Sequence, residues 1–270
     1  MRKSSKKRTR PTRKLGLPPG SLVHIGEIKT DKPSITLIEF DARGVTETCF
    51  ESLEASRGHH ATREKMWLNV YGLHDPTVMA EIGRRFKLHP LVQEDILNTQ
   101  QRPKSDEYTD YQYIVGRCFD FDTETRSLTS DQVSIVLGRN FVLTFQERPA
   151  GRFQPFRERL KNAVGPARRL GASYLAYSLL DVIVDHYFVT LDQLGDTVDE
   201  LDSRLLAGQA WRPKGGVALP LVAVAGRAGF GQVFRTQVES GGQQEQAPII
   251  GRFHGVVLEV MVANIGAASA

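Results

Sequence analysis

No apolar run in this 270-residue chain reaches the roughly 18–20 residues that a membrane-spanning helix requires. The best stretch, Val217–Ala225, is nine residues long and contains Pro220, so the chain is not expected to cross a bilayer by itself. Cysteine is scarce. Cys49 and Cys118 stand 69 positions apart, which rules out a disulfide framework or a Cys-rich zinc site and suits free thiols in a reducing compartment. Signatures of catalysis are also missing. There is no nucleophile–base pair and no metal-protease spacing, and the glycines of Val222–Gly231 fit neither phosphate-loop pattern. An enzyme is not expected.

Charge is present, but unevenly. The formal net charge of +4 hides eight bases and no acid within residues 1–14, leaving 27 bases against 31 acids in the rest. Such an arm is a solvated tail by default, and its functional alternative is attraction to anionic lipid head groups through residues 2–14. A nucleic-acid partner would rest on this arm alone and is not expected. No apolar core follows these charges, so the arm is not a signal peptide.

Between residues 21 and 146 the chain alternates short β-branched runs with short helical patterns. Strands are predicted at Ser21–Ile28, Ser34–Phe40, Val45–Phe50, Met66–Leu73, Tyr111–Phe121, Gln132–Leu137 and Phe141–Gln146. Asp75 before Pro76 starts a helix ending near Phe86, and Pro90 starts another ending at Leu97. Residues 101–104 read as a connector, the loop holding His59 and His60 as solvated, and Phe153–Ala163 as a helix. The class is α/β.

A long helix is predicted from about Ala172. Val184, Tyr187, Leu191, Leu194, Val198, Leu201 and Leu205 follow a 3-4 spacing, an apolar seam about 100° wide. Asp181, Asp185, Asp192, Asp196 and Asp199 share another face, and residues 172–206 hold seven acids against one base. Like charges one turn apart repel. Periodicity alone leaves two readings level: a solvated acidic face, or a carboxylate ladder for hard cations such as Mg²⁺. Past Leu206 the pattern stops, and residues 207–270 contain 11 of the 24 glycines and no aspartate.

The string His89-Pro90-Leu91-Val92-Gln93-Glu94-Asp95-Ile96-Leu97-Asn98, followed by Gln101-Arg102-Pro103-Lys104 and Tyr111–Val115, strongly resembles the CorA family of Mg²⁺/Co²⁺ channels. Residues 16–20, 131–134, 145–147 and 174–188 support the resemblance, which spans about residues 16–206. It implies a cytoplasmic α/β/α layered domain with a central mixed sheet, then the start of a long stalk helix. It also implies a homopentameric membrane channel, regulated by divalent ions bound between neighbouring copies or full-length subunits. The family's metal-sensing acids fall on Glu94 and Asp95, and on Asp181 with Asp185, taking Mg²⁺ or Co²⁺ weakly as a regulatory ion. The competing reading of Asp95 is a local pair with Arg102 or Lys104.

The chain departs from the family in one respect. The family's Gly-Met-Asn pore signature is missing, since Met occurs only at positions 1, 66, 79 and 261. The expected organisation is a basic arm over 1–15, the α/β domain over 16–171, a truncated stalk helix over 172–206 and a disordered tail over 207–270, unrelated to the family and consistent with a frameshift. The family sits at the inner (plasma) membrane; this chain alone would be cytoplasmic or peripheral. Two other readings are kept: a freestanding metal-binding regulator or adaptor, and the soluble part of a zinc-transporting relative.

Overall fold

The structure is a computed structural model and describes residues 16–206 except position 53. The predicted arm over 1–15 and tail over 207–270 lie outside the described residues. The elements are β1 (Ser34–Phe40), β2 (Val45–Phe50), β3 (Lys65–Tyr71), α1 (Pro76–Phe86), α2 (Pro90–Leu97) and β4 (Lys104–Glu107). They continue with β5 (Tyr111–Asp122), β6 (Ser127–Gly138), β7 (Phe141–Gln146), α3 (Gln154–Lys161) and α4 (Ala167–Leu206). One seven-stranded sheet runs β2-β1-β3-β7-β6-β5-β4. Its β3–β7 pair is parallel and the other pairs are antiparallel, so the sheet is mixed.

Helices cover both faces, because alternate strand residues point to opposite sides. On one side Leu68, Val70, Val115 and Phe145 pack with Ile82, Val92 and Ile96 of α1 and α2. On the other, Trp67, Ile38 and Val142 pack with Phe156, Leu160, Leu175, Leu179 and Ile183 of α3 and α4. Asp75 caps α1 by accepting a hydrogen bond from the Thr77 amide (2.8 Å), with Pro76 in the first turn. The loop carrying His59 is tied to the buried Glu39, which accepts from the Thr62 amide (2.9 Å) and hydroxyl (2.8 Å) and pairs with the His59 ring (2.9 Å). That histidine is spoken for.

Two local expectations fail. The segment 21–28 is no strand: only Ile25 bridges, in parallel to Asn98, beside the end of α2. Gly26 at φ 137° lets the chain pass so close to Thr99 that a Cβ there would meet its hydroxyl at 2.0 Å. Conversely, residues 104–107 are the edge strand β4 rather than a connector. β4 covers only Gln112–Val115 of β5. Beyond it α4 shields the edge: Thr190 donates to the Phe119 carbonyl (2.8 Å) and the Tyr187 hydroxyl to that of Arg117. Covering a strand edge this way removes a template for unwanted pairing.

α4 runs unbroken from Ala172 to Leu206 after a short first turn, with Gly171 between them at φ 77°, ψ −158°. The apolar seam turns inward: Val184 and Leu194 are buried, and Leu194 and Val198 pack on Phe121. Gly171 sits in backbone territory almost reserved for glycine, and a Cβ would lie 2.9 Å from Lys65 Cε. Gly171→Ala is expected to cost about 1–3 kcal/mol, readable as a lower urea midpoint with unchanged slope. An unchanged midpoint would mean that this junction relaxes freely.

Candidate metal site

α2 supplies the first acidic pair. Pro90 starts the helix, the His89 ring accepts from the Leu91 amide (3.2 Å), and Val92, Ile96 and Leu97 bury its inner face. Glu94 and Asp95 are left half-buried on the rim. Both already have partners. Glu94 accepts from the Gly20 amide (2.6 Å), which fastens the entry segment to α2. Asp95 pairs with the Lys104 ammonium (2.7 Å) and accepts from the Gln101 side chain. Lys104 bridges on to Asp106 at 2.6 Å. Burial alone would lower the Lys104 pKa, but the hydrogen bonds it donates to Asp106 and Asp95 raise it overall. The local pair that competed with metal in the sequence is therefore formed, with Lys104 rather than Arg102.

α4 supplies the second pair. Asp181 and Asp185 stand one turn apart, Asp181 half-buried and Asp185 exposed. Burial pushes the Asp181 pKa up, the neighbouring Asp185 charge adds to the rise, and Arg159 opposes it. This is a carboxylate short of positive charge. Asp192, Asp196 and Asp199 continue the ladder in solvent. The sheet separates the two pairs, since α2 and α4 cover opposite faces. Among the described residues no three His, Cys, Asp or Glu side chains cluster as a metal site would require. One chain presents two separate acidic pairs.

The ion-pair network that holds α4 in place was not read from the sequence. The buried Asp131 on β6 takes Lys29 (2.6 Å), Arg148 (2.9 Å) and Arg152 (3.0 Å). Lys29 also meets Glu147 (2.9 Å), whose carboxylate accepts from the Gln132 amide (2.6 Å). Asp120 on β5 shares Arg148 and Arg152 and pairs with His186 of α4 at 2.8 Å. The strings at 131–134 and 145–147, met as family words, are thus parts of one network built around the buried Asp131 and Glu147. Its members lie up to 157 positions apart, so spacing could not have linked them.

Comparison with solved proteins establishes first the fold. The chain is similar to the full-length CmaX protein, with a TM-score of 0.58, 14% identity, and 89% of this chain and 74% of that one covered. It is also similar to the complete CorA magnesium transporter of Methanocaldococcus jannaschii, with a TM-score of 0.52, 14% identity, and 86% and 70% covered. The domain family described as CorA-like Mg²⁺ transporter protein matches residues 64–214, more than half of the chain. The chain belongs to that family. The cobalt/magnesium transport protein CorA of Thermotoga maritima is 38% identical over 193 residues, 72% of this chain and 55% of that protein. The chain thus spans about half the length of that relative, and among the described residues no helix is long and apolar enough to cross a membrane.

Proposed function

We propose that this chain is the cation-sensing domain of a CorA-type Mg²⁺/Co²⁺ transport protein, working on the cytoplasmic side of the membrane. The observation that supports it is the placement of the two acidic pairs on opposite faces of one sheet. A single copy cannot close them on an ion. Copies arranged side by side can, with Glu94 and Asp95 of one meeting Asp181 and Asp185 of the next. Mg²⁺ keeps most of its water and is commonly held by one or two carboxylates, so weak, reversible occupancy is what such a shared site delivers. The domain's partners are then divalent cations and other copies or full-length subunits.

The test is a Mg²⁺ titration followed by residue-resolved NMR. Saturable shifts around residues 94–95 and 181–199 are expected, on the order of millimolar, and lost in a variant combining Asp95→Asn with Asp181→Asn. No saturable response up to about 20 mM, well past the weakest oxygen-ligand sites, would defeat the proposal. The Lys104 bridge sharpens the test, because a metal at Asp95 must displace an ammonium 2.7 Å away. A partly exposed ion pair is worth about 0.2–1 kcal/mol, so Lys104→Met should tighten Mg²⁺ binding by roughly 1.5- to 5-fold. Unchanged affinity in that variant would remove Asp95 from the ligand set.

A further inference from the structure

Three segments distant in sequence converge on a second charged feature. The turn after β1, the loop before β3 and the first turn of α4 line an open cleft of about 670 Å³. Its bases are Arg43, Arg63, Lys65, Arg168 and Arg169, and its acids are Asp41 and Glu64. Some of the bases are anchored. Arg63 donates to Asp41 (3.0 Å) and to the Thr46 hydroxyl (3.2 Å), and lies so close over Gly44 that a Cβ there would meet it at 2.9 Å. Arg168 donates to the carbonyls of Leu160 and Lys161 at the end of α3. Asp41 is thereby engaged: burial would raise its pKa, but the Arg43 and Gly44 amides and Arg63 bring it below the ordinary range.

The remaining positive charge is unspent. Glu64 is 77% exposed and 3.6 Å from Lys65, a loose pair. Arg43 and Arg169 are exposed, and neither side chain has an ion pair or hydrogen bond among the described residues. Five cations against two acids in one concavity repel one another until an anion enters. Guanidinium groups fit phosphate oxygens as bidentate forks, which makes arginine-rich clefts selective for phosphate. None of the lining residues is aromatic or has an apolar side chain larger than alanine. Nothing there stacks on a nucleobase or enters a bilayer. The volume is that of a small-molecule pocket and exceeds what one phosphate needs. We infer that this cleft binds a free polyphosphate anion, independently of the acidic half-sites.

Adding inorganic tripolyphosphate to the full chain without Mg²⁺, followed by residue-resolved NMR, tests this. Saturable shifts are expected at residues 42–44, 61–65 and 168–169. Affinity for these shifts should fall about tenfold or more in Arg43→Ser/Arg169→Ser, which removes two charge-assisted forks. Arg139→Ser, in the turn between β6 and β7, should titrate like the unaltered chain. Vesicles of phosphatidylcholine with phosphatidylglycerol should leave the cleft signals unmoved. Three results would each overturn the inference: no saturable cleft shift, equal weakening by Arg139→Ser, or shifts driven by vesicles but not by tripolyphosphate.

Discussion

Replacing Asp131 by alanine is expected to destabilise the protein by about 3–5 kcal/mol, the usual cost of removing one partner from a buried ion pair. Its side chain is 3% exposed and holds Lys29, Arg148 and Arg152. Arg152, itself 4% exposed, would keep only the more open Asp120. The loss should appear in urea unfolding as a lower midpoint. It should also depend on pH. Burial would raise the Asp131 pKa, but Lys29 and Arg152 bring it below the ordinary carboxylate value. A carboxyl whose folded pKa is depressed contributes stability above its unfolded pKa and loses it as pH falls through the folded one. The gap between Asp131→Ala and the parent should therefore be full above about pH 5 and should shrink as pH falls through the folded pKa, which lies below the unfolded value near 3.9. A pH-independent gap, or one under about 1 kcal/mol, would mean that solvent already screens these charges.

Trp67→Ala is expected to cost about 3–5 kcal/mol by opening a cavity between sheet and helices. Trp67 is fully buried and meets the rings of Phe153 and Phe156 edge-on, each with centroids 6.1 Å away. Its indole donates to Thr144 (2.9 Å), which in turn donates to Asn69 (2.6 Å). Trp67→Phe keeps much of the volume and loses that donor, so about 1–2 kcal/mol is expected. Urea denaturation of both variants separates packing from hydrogen bonding. Equal losses would put the hydrogen bond, not the cavity, in charge.

The sequence was most legible where local chemistry marks an element. Asp75-Pro76 and Pro90 open α1 and α2 at the predicted residues, and Phe141–Gln146 is the predicted strand. The seam of α4 was visible as a period, and its inward turn followed from burial. Legibility ended where partners come from far along the chain. β4 reads Lys-Ser-Asp-Glu, with no β-branched residue, and is a strand only because β5 offers it an edge. In the run at 21–28, Ile25 is buried beside the end of α2 and Leu22 packs on the core, while Ile28 is exposed, so its apolar residues build no strand. β6 begins at Ser127, five residues before the predicted start, because its polar half pairs with the end of β5. At the site, the residue types were readable and their separation by the sheet was not, since a motif carries no record of which face it will cover.

The proposed sharing of one cation between copies is tested most directly by sedimentation velocity of the full chain with and without about 20 mM Mg²⁺. The expected result is a Mg²⁺-dependent rise in sedimentation coefficient that grows with protein concentration and disappears in Asp95→Asn/Asp181→Asn. A coefficient that Mg²⁺ leaves unchanged at every protein concentration would contradict a site built between copies.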